Sequence, residues 1–248
     1  MSLHLHTAAM IAAVAASNAA AQFNGFLVEE RVFNDFPGSN LVVTNDFPNE
    51  LTFNESNFGS GGFANRHMAY LSSDGGATAV DFDYGSALDF SVTLNLDASP
   101  TDGREAGIVT DLFGFGFFGA LPNGEIAAFD SFLPFFTFGS GVYTNGTDVD
   151  LRLIYTPGAG EGLTPVSTIE YIIDTGSGPV SSGPINFDNL EGGIPTGGFN
   201  ARIGVGAQFQ GSSGGTAVAS FTNIVAVPAP ATAALTALGG LAMLRRRR

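Results

Sequence analysis

The chain has 248 residues, is 44% hydrophobic and only 13% charged, and carries a net charge of −14. That length and apolar content suit one sizeable folded domain and exclude a disordered chain. The acidity argues against a nucleic-acid partner, since phosphate backbones need cationic contacts, and the absence of Cys excludes disulfides, zinc–thiolate sites and thiol nucleophiles.

The N-terminal end reads as an export signal. Ala8 to Ala16 is an apolar run of signal-peptide length, too short to span a bilayer. Small residues follow, and Ala19-Ala20-Ala21 before Gln22 fits a cleavage site between Ala21 and Gln22. Residues 1–21 are therefore expected to form a signal helix. No Lys or Arg precedes the apolar run.

Residues 22–226 read as one β-rich domain. Asn34-Asp35-Phe36-Pro37 recurs as Asn45-Asp46-Phe47-Pro48 around Leu41 to Thr44, which predicts two turns flanking one strand. Asp89 to Leu96 alternates with period two, so Phe90, Val92, Leu94 and Leu96 should face a core and Asp89, Ser91, Thr93 and Asn95 water. Phe113, Phe115 and Phe117 alternate with glycines and are expected to line the core. Val149 to Tyr155, Ser167 to Ile173, Ala201 to Phe209 and Ala217 to Val225 read as further strands. Turn signals such as Asp102-Gly103, Pro122-Asn123-Gly124 and Asn145-Gly146 punctuate them. Many short strands in about 200 residues mean an all-β sandwich or barrel.

The last 22 residues form a separate unit. Val227-Pro228-Ala229-Pro230 breaks regular structure, Ala231 to Leu244 is apolar and uncharged, and Arg245, Arg246, Arg247 and Arg248 close the chain. A short hydrophobic helix stopped by a cationic cluster leaves the cluster on the cytoplasmic side. All 23 acidic residues lie between Glu29 and Glu191, and without the four terminal arginines the net charge is −18.

This order of a Pro-x-Pro motif, a hydrophobic segment and an Arg cluster resembles the PEP-CTERM sorting signal. Ala229 stands where that family's motif commonly has Glu. The resemblance covers residues 227–248. It implies a tail recognised by an exosortase-type processing enzyme, transient inner-membrane anchoring, and an exported protein at the surface or in the exopolysaccharide matrix of a Gram-negative bacterium. The strand rhythm of Asp148 to Thr156, Thr168 to Asp174 and Phe221 to Val225 resembles concanavalin-like jelly-roll domains.

Three functions are weighed on that basis. The favoured one is a non-catalytic structural or adhesive protein, and the second a lectin-like binder of extracellular polysaccharide. The third is a glycan-active hydrolase, which needs two carboxylates facing each other across a cleft. Asp81 with Asp83, or Asp148 with Asp150, share a strand face and could supply them, but solvent faces explain both pairs. Tyr70, Tyr84 and Tyr143 are the candidate sugar-stacking rings in a chain without Trp. Phe132-Leu133-Pro134-Phe135-Phe136 is a candidate exposed patch. His67 is the one His in residues 22–226, so no paired-His site exists and a structural or exposed role is expected. No cofactor is expected. A structural calcium would use carboxylates and loop carbonyls, although no D-x-D-x-D-G run organises them.

Overall fold

The computed structural model describes residues 23–82, 85–99, 103–111, 115–129, 133–159, 165–187, 201–210 and 215–228. The signal segment, its cleavage site at Ala21 and Gln22, and the tail from Ala229 to Arg248 lie outside these residues, as do both flanking helices. Among the described residues no helix is long and apolar enough to cross a membrane.

The described chain is all-β. Its strands are β1 (Gly25–Asn34), β2 (Asn40–Asp46), β3 (Glu50–Ser56), β4 (Ala64–Ser72), β5 (Asp81–Phe82), β6 (Leu88–Ser99), β7 (Arg104–Asp111) and β8 (Phe115–Ala120). They continue as β9 (Ile126–Phe129), β10 (Phe136–Gly139), β11 (Asp148–Thr156), β12 (Thr168–Asp174), β13 (Val180–Ser181), β14 (Ile185–Asn186), β15 (Ala201–Gln210) and β16 (Thr216–Pro228). One antiparallel sheet runs β1-β4-β15-β7-β8-β9-β10, with β5 beside β15. The other runs β13-β12-β11-β6-β16-β3-β2, with β14 beside β12.

The period-two pattern decides which side of each strand is dry. On β6, Phe90, Val92, Leu94 and Leu96 are buried as the alternation requires. They meet Ile108, Phe118, Ile203 and Val205 of the first sheet in a single inter-sheet core. The first sheet has a second apolar layer on its outer face, where Met68, Tyr70, Val109 and Phe117 cluster. Phe117 is thus buried, but on the side of the sheet opposite to the inter-sheet core; its neighbour Phe118 takes the inward place. Phe113 and the Phe115 side chain lie outside what is described. The expected strand between the repeated Asn-Asp-Phe-Pro motifs is β2. β16 runs through Val227 and Pro228, two residues at the start of the expected tail, which pair with Asp89 and Leu88.

Two glycines set the spacing of the first sheet. Gly107 on β7 and Gly119 on β8 are direct partners. A Cβ on either would run into the backbone of the other strand. Backbone atoms cannot swing aside as a side chain end can, so the strands would have to part. Gly107→Ala should cost roughly 2 kcal/mol or more, in the range of overpacked cores. Urea unfolding should show a lower midpoint with an unchanged slope.

Candidate functional site

Two polar assemblies stand out, one buried and one open. The buried one sits between the sheets. On β3, Leu51, Phe53 and Glu55 all face inward, and Glu55 is fully buried. Its carboxylate receives Ser39 Oγ at 2.6 Å and Asn65 Nδ2 at 2.7 Å. His67 Nε2 lies 2.8 Å from the other oxygen, and Arg31 Nη2 lies 3.4 Å from the first. The Arg31 backbone N–H donates to His67 Nδ1 at 3.3 Å. With Nδ1 accepting, Nε2 carries the proton and donates to Glu55, so a neutral imidazole satisfies both contacts.

Burial alone would raise the Glu55 pKa. The hydrogen bonds from His67, Ser39 and Asn65 outweigh it and hold the group below the ordinary carboxylate value. His67 is fully buried between the rings of Phe53 and Phe209. Substrate has no access to it, and its role is structural.

Removing Glu55 would take the shared acceptor from donors on β1, β4 and the turn before β2. Glu55→Ala should cost about 3 kcal/mol or more, read as a fall in urea midpoint. Because the folded pKa is depressed, the stabilisation is present above the unfolded value of 4.5 and is lost as pH falls below it. Glu55→Gln should remove that part of the acid sensitivity in urea titrations at stepped pH.

The open assembly is a groove of about 470 Å³ on the outer face of the second sheet. Four adjacent strands line it, and their register arranges its side chains in rows. Asp174, Asp150, Thr93 and Thr222 form one row; Ile172, Arg152, Ser91 and Val225 form the next. Between Thr222 and Val225, β16 carries one extra residue relative to β6. Asn223 occupies this bulge at φ 50°, a left-handed conformation that Asn tolerates better than most residues. The bulge brings the Asn223 amide to Thr93 Oγ1 at 3.1 Å, and the Thr93 hydroxyl donates to Asp150. Arg152 makes a two-pronged contact with Asp89. That contact, ahead of the small opposing effect of burial, raises the guanidinium pKa further.

The anticipated site residues are dispersed. Asp148 donates nothing to a cleft: it accepts from Asn95 at 2.7 Å on the solvent face beside Asp150. Asp81 is exposed and lies 3.5 Å from Arg202, while Asp83 and Tyr84 lie outside the described residues. Tyr70 is fully buried in the outer apolar layer and cannot stack on a sugar. Tyr143 is also buried, with its hydroxyl bonded to the Leu96 backbone. Burial raises its pKa, and the charges of Asp148 and Asp97 add to the rise. Of the Phe-rich patch, Leu133 is buried, Phe136 is half-buried against the core and Phe135 is 50% exposed; Phe132 lies outside the described residues. Among the described residues no three acidic or His side chains gather as a metal site.

Glu55, Arg152, Asn223 and Thr93 were not singled out from sequence. Leu51-Thr-Phe-Asn-Glu55 did hold a signal: a carboxylate on the apolar phase of a strand requires a buried partner. The bulge at Asn223 leaves only a phase slip within Thr222 to Val225.

No protein-family model matches the chain, and no curated protein matches it. Solved structures with a similar course include a family 7 alginate lyase A1-II′, at TM-score 0.44 and 11% identity, covering 75% of this chain and 83% of that one. Arcelin-5, a lectin-like defense protein from Phaseolus vulgaris, aligns at TM-score 0.41 and 10% identity, covering 83% and 100%. The lectin UEA-II complexed with galactose aligns at 0.40 and 10%, covering 83% and 97%. At these scores the likeness assigns neither family nor function.

Proposed function

We propose that this chain is an exported, non-catalytic matrix protein of a Gram-negative cell surface, with a jelly-roll domain whose outer groove holds a neutral polysaccharide. The open polar groove on the second sheet is the observation that carries the binding part of this reading. Its Asn223, Asp150, Thr93 and Ser91 supply the mixed donors and acceptors that sugar hydroxyls require. It runs over a sheet face without an enclosing wall, which suits a chain lying across it. Its charge favours a neutral polymer. Among the described residues, Asp89, Asp150 and Asp174 lie around Arg152, the one cation lining the groove, which Asp89 already engages. A uronate or sulfated polymer would meet net repulsion.

A non-catalytic role is supported by how the candidate carboxylates are used. Asp148 and Asp150 bond to neighbouring strand residues, and Asp81 pairs with Arg202. Export rests on the two chain ends: the signal cleaved between Ala21 and Gln22, and the exosortase-type tail from Val227 to Arg248, which would hold the membrane transiently. Phe23 and Val227, the first described residue and one of the last, line one pocket of about 440 Å³. Both addresses would therefore attach at one corner of the sandwich, away from the Asp174 end of the groove.

Affinity electrophoresis of the chain through gels containing a neutral linear glucan, a mannan or alginate tests the reading. Retardation is expected by a neutral polymer and not by alginate. Asp150→Ala with Asn223→Ala should weaken retention about tenfold, the scale of two lost hydrogen bonds. Retention by alginate alone, or no difference between wild type and the double variant, would sink it.

A further inference from the structure

A sheet edge presents unpaired backbone N–H and C=O groups, and folded proteins usually blunt such edges. Among the described residues, three of the four sheet edges are blunted. β1 carries a register shift between Glu29 and Phe33, with Arg31 at φ 55° inside it. β10 has four residues and a register shift between Thr137 and Gly139. Beyond β12 lie only the two-residue strands β13 and β14.

The fourth edge is different. β2 pairs with β3 over seven residues with no break in register. Its sequence, Asn40-Leu-Val-Val-Thr-Asn-Asp46, has no Pro, no Lys and no Gly. Val42 is 62% exposed, and among the described residues no strand lies on the outer side of β2.

We propose that β2 is a self-association edge, where two copies of this chain pair antiparallel about a twofold axis through Val43 and join their second sheets. The pairing follows from the strand itself. About that axis Asn40 faces Asp46 of the second copy, Leu41 faces Asn45 and Val42 faces Thr44. No like charges oppose each other, although the chain carries −14 overall. The faces also agree. Val43 packs against the core side and meets its own copy there, while Val42 and Thr44, both β-branched, meet on the outer face. A twofold contact of this kind is self-complementary and closes at two subunits. It rests on the strand edge and not on the groove.

Charge placement tests it on the purified full chain by sedimentation equilibrium, over roughly a hundredfold range of concentration. Wild type should be a dimer. Val42→Asp with Thr44→Asp puts like charges opposite each other twice, on side chains that stay in solvent in the monomer. Dimerisation should weaken about tenfold or more. Val42→Lys with Thr44→Lys should do the same, and an equimolar mixture of the two double variants should recover the dimer as a heterodimer. Far-ultraviolet dichroism should show unchanged strand content in each. A monomeric wild type would overturn the proposal. So would association that ignores both double variants, as contact through the apolar tail would, or a mixture that fails to recover the dimer.

Discussion

The buried Glu55 carboxylate keys one sheet to the other. It lies on the inward phase of β3, in the second sheet, and its partners Asn65 and His67 come from β4, in the first. A carboxylate taken from water is costly unless every lone pair is met. Here the partners come from three chain segments at once: Arg31 on β1, Ser39 in the turn before β2, and Asn65 and His67 on β4. Asn65 also clasps the Phe36 backbone from both sides. Arg31 holds the carbonyls of Phe36 and Ser39 at 2.9 and 2.7 Å. The same network therefore fixes the bulge in β1 and the turn that launches β2. The position of the outermost strand of the second sheet depends on one acid group in the interior.

The two outer faces are consequently unequal. On the first sheet, Met68, Tyr70, Val109 and Phe117 form a dry layer, and a polar row follows beside it. Gln208 takes Arg66 on one side and Glu105 on the other. Burial raises the Glu105 pKa against the pull of Arg66, as expected for a carboxyl held on a covered face. On the second sheet the outward side chains of β6, β11, β12 and β16 include the exposed Asp150, Arg152, Asn223 and Val225. A ligand reaching this sandwich by a sheet face meets the second sheet.

The strands were legible in the sequence where one face is wet. Asp89 to Leu96 and Val149 to Tyr155 alternate cleanly, and both the elements and their buried sides follow from that alternation. Where both faces are covered the alternation carries no side. Phe115-Gly-Phe-Phe-Gly-Ala120 places Phe117 and Phe118 on opposite faces, both buried; Phe117 lines a core as expected, and alternation alone does not say that it is the outer one. Tyr70 was a reasonable sugar platform by composition alone; the outer apolar layer that buries it is assembled from distant strands. The groove was illegible for a similar reason. Asp150, Thr93 and Asn223 are 130 residues apart at the extreme and become neighbours only through strand order and a single bulge.

Acidity and the proposed adhesion are reconciled by where the charges stand. A domain at −18 repels its own copies at long range, yet screening in salt confines that repulsion to about 10 Å or less. What matters at contact is the local pattern. β2 carries one acid, Asp46, at its end, and an antiparallel twofold sets it against Asn40. In the function proposed above, the groove's carboxylates would accept hydrogen bonds from sugar hydroxyls and repel polyanions. On that proposal one charge surplus would disfavour anionic polymers at the groove, while its absence from the middle of β2 would leave that edge free to pair. Since β2 and the groove belong to the same sheet, pairing at Val43 would carry two grooves on one continuous surface. On the proposed function, binding one long polymer at two such sites would raise retention far beyond a single groove without any new contact.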